Sequence, residues 1–201
     1  MPRLLGLTGN IACGKTAVGQ MLLDSGVERY IDADALVHGL YEPGQTITVK
    51  VAAAFGPAVM APDGGVDRKT LGAVVFQDPE AMRRLESIVH PAVGAALMQE
   101  LGQVSASGIA VIDAVKLLEG GSGALCQSKW IVICSEQQEL ARLLARNHLS
   151  EEEGLARLRA QPPVAARLPL VDEVIDNSGT LEETRRQVMA AFERFCSQFP
   201  A

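Results

Sequence analysis

The chain has 201 residues, enough for one or two domains at about 100–200 residues each, and long enough to hold a core without disulfides or a structural metal. Eighteen Lys and Arg against twenty-four Asp and Glu leave a net charge of −6, which excludes a general attraction to nucleic acid or anionic lipid. With 48% hydrophobic and 21% charged residues, the composition is that of a globular protein rather than a disordered or collagenous one.

The chain opens on Met1 to Gly6, with one arginine and a short apolar run leading straight into glycines, so no signal peptide is expected. No stretch approaches the ~18 apolar residues of a membrane span. Cys13, Cys126, Cys134 and Cys196 show neither Cys-x-x-Cys spacing nor a nearby histidine for a zinc module. A cytoplasmic protein with free thiols is the expectation. Cys126, Cys134 and Cys196 read as small packing residues. Cys13 lies inside a glycine loop, where its thiol is expected to be the most reactive of the four.

In chain order, Arg3 to Thr8 reads as a buried strand closed by Gly9. A helix follows from Lys15, with Val18, Met21 and Leu22 on one face and Gly26 at its end. Val27 to Ile31 is a second strand, running into Asp32 and Asp34. Ile109 to Ile112 is a third, running into Asp113. Trp130 to Cys134 and Glu173 to Ile175 are the fourth and fifth, the latter leading into Asp176 and Asn177. Short apolar strands separated by helical patterns predict a parallel sheet covered on both faces. Leu181, Thr184, Val188, Ala191 and Phe195 mark a final amphipathic helix. Two insertions interrupt the alternation. The first lies between the second and third strands, loop-like over Pro57 to Gly65 and helical over Asp78 to Val89. The second runs from Gln137 to about Leu168 and carries Arg142, Arg146, Arg157, Arg159 and Arg167.

Gly9-Asn10-Ile11-Ala12-Cys13-Gly14-Lys15-Thr16 matches Gly-x4-Gly-Lys-Ser/Thr between a strand and a helix. Glycines let successive N–H groups turn toward phosphate oxygens, and the helix N-terminus adds partial positive charge there. Lys15 is suited to the β- and γ-phosphates, and the Thr16 hydroxyl to Mg²⁺. No Asn-Lys-x-Asp guanine-reading motif is present, and no strand ends in an Asp-Glu pair for water activation. Asp32-Ala33-Asp34 ends the second strand, where a carboxylate can orient a hydroxyl acceptor and take its proton; helix capping or turn formation is the competing reading. Arg142 and Arg146, four apart on one helix face, suit a closing lid that meets phosphates, or equally a solvated surface.

Taken together, these residues resemble the dephospho-coenzyme A kinase family. The resemblance runs from Gly6-Leu7-Thr8-Gly9, Gly14-Lys15-Thr16 and Ile31-Asp32-Ala33-Asp34 through Gly65-Val66-Asp67-Arg68, Leu71, Phe76, Leu85-Glu86 and His90-Pro91. It ends with Ser150-Glu151-Glu152, Gln161 and Val174-Ile175-Asp176-Asn177-Ser178-Gly179. It implies an α/β fold of the P-loop kinase type, three layers with a five-stranded parallel sheet of order 2-3-1-4-5. The nucleotide-binding core would comprise 1–34, 106–136 and 169–201, with a helical substrate domain over 35–105 and a lid over 137–168. The implied reaction is transfer of a phosphoryl group from ATP, with Mg²⁺, to the ribose 3′-hydroxyl of dephospho-coenzyme A. Asp34, Lys15 and Arg142 would be catalytic. Gly9, Asn10, Ile11, Ala12, Cys13, Gly14, Lys15, Thr16, Ala17, Arg146 and Asn177 would bind ATP. Asp32, Asp34, Arg68 and His90 would meet the acceptor, with Thr16 on the metal. A cytoplasmic monomer without nucleic-acid or membrane partners is expected.

The chain departs from the family pattern at Asn10, Ala12 and Cys13, where glycines and a serine are usual. Ala12 should hold its φ negative more strictly than glycine. Asp113-Ala114-Val115-Lys116-Leu117-Leu118-Glu119 lacks the family's proline and adds Lys116, either a phosphate contact or an exposed residue. Asp113 suits either water-mediated Mg²⁺ support or capping. The alternatives are a kinase for another small hydroxyl acceptor and a nucleotide-binding regulator without transfer activity.

Overall fold

A computed structural model describes residues 1–119 and 121–201. The chain divides into two compact units, Met1–Asp32 with Gln103–Ala201, and Ala33–Gly102.

The first unit is built on five parallel strands: β1 (Arg3–Gly9), β2 (Arg29–Asp32), β3 (Ile109–Asp113), β4 (Ser128–Ile133) and β5 (Glu173–Asp176). Their order is β2-β3-β1-β4-β5, as the sequence reading implies. In register, Leu7 and Asp32 both stand beside Asp113, and Gly9 beside Val132. The C-terminal ends of the three neighbouring strands therefore line one edge, where open α/β sheets bind ligands. The second strand begins at Arg29 rather than at Val27. The Val27 N–H closes the preceding helix on the Leu22 carbonyl at 3.2 Å, so the ladder starts later.

One face of the sheet presents Leu5, Leu7, Val111, Trp130, Val132 and Ile175 to two helices. From α1 (Lys15–Asp24) come Val18, Met21 and Leu22, and from the C-terminal helix (Leu181–Gln198) come Val188, Ala191, Phe192 and Phe195. Each such side chain stabilises the fold by about 1.5–3 kcal/mol through burial. Close approach of α1 to β2 depends on Gly19, where a Cβ would stand 2.2 Å from the Tyr30 ring. On the opposite face, Gly6 meets Leu117 and Cys126, and Thr8 meets Arg167.

In the second unit, α2 (Ala33–Leu40), α3 (Thr46–Phe55), α4 (Arg68–Val75) and α5 (Pro79–Leu101) enclose Ile47, Val51, Val59, Val66, Leu71, Val75 and Val89. The stretch expected as loop over 57–65 holds a 3-10 turn at Pro57–Val59 and a bridge from Met60 to Val66. The helix expected over Asp78 to Val89 is capped by Asp78 and runs on through Pro91 as α5. Proline removes one helical hydrogen bond, yet Leu97 and Leu101 beyond it are buried and hold the last turns in place. The arginine-rich stretch belongs to the first unit as α6 (Glu136–Asn147), α7 (Glu151–Arg159) and α8 (Val164–Arg167), before α9 (Leu181–Gln198) ends the chain.

Candidate active site

The loop from Gly9 to Gly14 joins β1 to α1. Gly14 caps α1 in the left-handed region (φ 105°, ψ 22°) and has no side chain to cap the helix, while the Lys15 N–H lies against the Cys13 thiol. A Cβ there would stand 2.0 Å from Asn177 Nδ2, so conformation and space both require glycine. N–H groups at a helix start, reinforced by the helix dipole, favour an anion. Lys15 Nζ donates to the Gly9 carbonyl at 3.1 Å and so spans the loop. Thr16 is exposed one residue further on, and Ala17 donates its N–H to the Gly14 carbonyl at 3.0 Å.

Ala12 is left-handed at φ 62°, contrary to the negative φ expected of it. That conformation costs an alanine about 1–2 kcal/mol. The neighbouring carbonyls are held: Arg142 Nη1 donates to the Ala12 and Cys13 carbonyls at 3.5 and 3.3 Å, and Asn177 Nδ2 to the Cys13 carbonyl at 2.9 Å. These bonds over-determine the loop and sustain the strain.

Cys13 is fully buried, and burial pushes its thiol up to about 11 although Lys15 pulls the other way. A buried protonated thiol is inert, so the expectation of a reactive Cys13 is overturned.

The predicted arginines separate by environment. Arg142 on α6 lies against the loop, and its Nη2 also reaches the Asn177 carbonyl at 3.3 Å. Arg146, one turn on, is exposed and bonds Asn147 Oδ1 at 3.0 Å. Arg157 and Arg159 are exposed on α7, whereas Arg167 is buried. The stretch is thus not a uniform positive face. Asn177 is buried, and its side-chain oxygen accepts from Thr184 Oγ1 at 3.0 Å. Both ends of its amide are therefore committed to holding the loop.

At the strand ends, Asp113 is buried beside the exposed Asp32. Tyr30 Oη donates to Asp113 Oδ2, and burial with the Asp113 charge raises the phenol well above its ordinary range, so it stays a donor. Residues 115–119 form a turn, so no helix directly follows Asp113 for it to cap. Lys116 is exposed.

Asp34 is exposed in the first turn of α2. Arg68 is exposed at the start of α4, whose N-cap is Asp67, bonded to the Lys69 and Thr70 N–H groups at 3.0 and 3.1 Å. The Thr70 hydroxyl and these N–H groups hold Asp67 below the usual carboxylate range. His90 is exposed on α5.

Three residues at the loop were not legible as site residues. Thr8 accepts from Arg167. Tyr30 holds Asp113. Glu139 is buried in the first turn of α6, and burial, then Glu136, raise its carboxyl while Arg142 and Lys15 lower it. Only the i, i+3 spacing of Glu139 and Arg142 hinted that the acid shares the arginine's face. Among the described residues no cluster of three His, Cys, Asp or Glu is poised for a metal.

The family model for dephospho-CoA kinase matches residues 3–183. The dephospho-CoA kinase of Symbiobacterium thermophilum is 42% identical over 96% of this chain and 82% of its own length. That of Geobacillus kaustophilus is 38% identical over 97% and 98%. Among solved structures, TT1252 from Thermus thermophilus superposes with a TM-score of 0.82 at 33% identity, covering 96% of this chain and 97% of that one. Shikimate kinase from Acinetobacter baumannii shares the fold at a TM-score of 0.52 and 15% identity, over 100% of this chain and 97% of its own. With the strand order, the loop and these matches agreeing, the chain belongs to the dephospho-CoA kinase family.

Proposed function

We propose that loop 9–16 holds the phosphates of ATP while Asp34 orients the ribose 3′-hydroxyl of dephospho-CoA for in-line attack. The activity is that of the family, ATP-dependent phosphorylation of dephospho-CoA to CoA. The observation that carries the residue roles is the loop itself: a left-handed glycine cap with no capping side chain at the start of α1, and Lys15 spanning to Gly9. These fixed donors lie where negative charge spreads in phosphoryl transfer, and they need no reorganisation as it develops. Lys15 exchanges the Gly9 carbonyl for phosphate oxygens. Arg142 leaves the loop carbonyls to meet the transferring group, and Arg146 follows from the same helix face. Asn177 acts through the loop by fixing the Cys13 carbonyl.

Mg²⁺ fits the oxygen donors present: the exposed Thr16 hydroxyl, with Asp113 and Asp32 beside it in function at the strand ends. So few protein ligands suit a cation that keeps waters and rests largely on substrate phosphates. When bound, it neutralises charge on the β- and γ-oxygens. The Tyr30 bond keeps the Asp113 carboxylate oriented. Arg68 and His90 contact the acceptor. The reading includes a cytoplasmic monomer with two small-molecule substrates and neither nucleic-acid nor membrane partners. The net charge of −6 and the lack, among the described residues, of any helix long and apolar enough to cross a membrane are compatible with it.

ADP release coupled to a reporter, measured over a panel of hydroxyl acceptors, tests this. Turnover requires dephospho-CoA; turnover only with another acceptor, or ATP binding with none, refutes the assignment. Lys15→Met lowers both ATP binding and turnover. Asp34→Asn leaves ATP affinity intact and cuts turnover at least about 100-fold, the scale of a lost general base. Undiminished turnover removes Asp34 from the mechanism.

A further inference from the structure

Arg167 ends α8 with its side chain turned inward, 2% exposed. Its Nη1 donates to Asn10 Oδ1 at 3.2 Å, and its Nη2 to Thr8 Oγ1 and to the Val115 carbonyl at 2.9 Å. Thr8 Oγ1 donates in turn to the same Val115 carbonyl at 3.2 Å. The guanidinium Nε is buried and has no acceptor. Among the described residues no carboxylate pairs with it. Arginine cannot shed its proton in a protein, so this is a permanent cation enclosed by neutral oxygens. Such burial is costly without a counter-charge.

The location suggests what the charge is for. Thr8 is the last side chain of β1 before the loop, and Asn10 is the first side chain within it. The guanidinium thus stands directly behind the segment that receives a polyanion, and its fork grips two points on either side of Gly9. We propose that Arg167 is a positioning residue for ATP. It sets the start of the loop through Thr8 and Asn10, and its charge gains its counter-charge when phosphates occupy the loop. It touches neither substrate; it acts through the loop. A tie that merely anchors α8 to β1 would affect stability alone, with no preference between the two substrates.

This inference rests on the loop binding ATP, so ATP titration of the wild-type chain and of Lys15→Met comes first. The experiment then compares Arg167→Lys, which keeps the charge but not the fork, with Arg167→Gln, which loses both. Calorimetric ATP affinity is measured at 25 °C on protein shown to be folded by circular dichroism, together with kcat and the KM for dephospho-CoA at saturating ATP. Loss of a charge-assisted contact predicts ATP binding about 10- to 100-fold weaker in Arg167→Gln and about 3- to 10-fold weaker in Arg167→Lys. The KM for dephospho-CoA stays within about twofold. The proposal is overturned if both variants bind ATP within twofold of wild type, if both substrates lose equally, or if lysine rescues nothing. Should Arg167→Gln fail to fold, Arg167→Lys decides on the same thresholds. Wild-type protein that binds no ATP overturns the loop's role and this inference together; normal wild-type binding with indifferent Arg167 variants overturns this inference alone.

Discussion

Asn177 offers a sharp test of how the loop is held. Its Nδ2 donates to the Cys13 carbonyl at 2.9 Å and its Oδ1 accepts from Thr184 Oγ1 at 3.0 Å, with the residue only 4% exposed. Asn177→Ala removes both bonds, at about 1 kcal/mol each, and leaves a small void. The damage is limited because both partners keep an alternative. The Cys13 carbonyl still receives Arg142 Nη1, and Thr184 Oγ1 still donates to the Thr180 carbonyl at 3.2 Å. A loss of about 2–3 kcal/mol follows, or about 4–12 °C in melting temperature for a chain of this size. Asn177→Asp is nearly isosteric but sets an acceptor against the Cys13 carbonyl and buries a negative charge, so it destabilises more than alanine at pH 7. The introduced carboxyl is raised in the folded state, so its penalty grows as pH rises through the ordinary carboxylate value of about 3.9 and fades below it. Urea denaturation of both variants at pH 4 and pH 7 measures this. An aspartate variant as stable as wild type at pH 7, or one without pH-dependent recovery, refutes the assignment of these hydrogen bonds.

Ala12→Gly relieves the left-handed strain and raises stability by about 0.5–1 kcal/mol in urea melts; a loss of stability contradicts the φ of 62°. Iodoacetamide labels native Cys13 more slowly than the half-buried Cys196, read by peptide mass spectrometry, because the Cys13 thiol is enclosed and raised to about 11; fastest labelling at Cys13 contradicts this. Glu139 has its carboxyl raised by burial, so its ionisation weakens the fold as pH climbs above the ordinary carboxylate value. Glu139→Gln therefore gains stability relative to wild type at pH 7, and the gain vanishes under acid conditions where both are neutral. A gain that does not change with pH argues against the titration.

Several features were legible because they are local. The strand–loop–helix at residues 3–24 follows from an apolar run, a glycine pattern and an amphipathic repeat, all within one stretch of chain. The five strands each announce themselves as short apolar segments, since strands buried on both faces carry no polar alternation. The helices α2, α3 and α4 carry weaker sequence signals, because they span only 8, 10 and 8 residues and each buries few side chains. Pro91 hid the second half of α5: the proline is a local stop signal, overridden by the burial of Leu97 and Leu101.

The sequence alone places five arginines between 137 and 168 in a chain whose net charge is −6. Residue types and spacing determine that a Gly-x4-Gly-Lys-Thr loop stands between β1 and α1, that carboxylates end β2 and β3, and that arginines gather between 137 and 168. Tertiary structure decides what each charge does. Arg142 lies on loop carbonyls, Arg146, Arg157 and Arg159 meet solvent, and Arg167 is buried behind the loop. It likewise encloses Cys13, turns Asn177 into a brace and forces Ala12 left-handed. Spacing along a chain reports which residues share a face. Desolvation and hydrogen-bond partners come from segments more than a hundred residues away, as from Arg167 to Thr8, and exist only once the sheet has assembled.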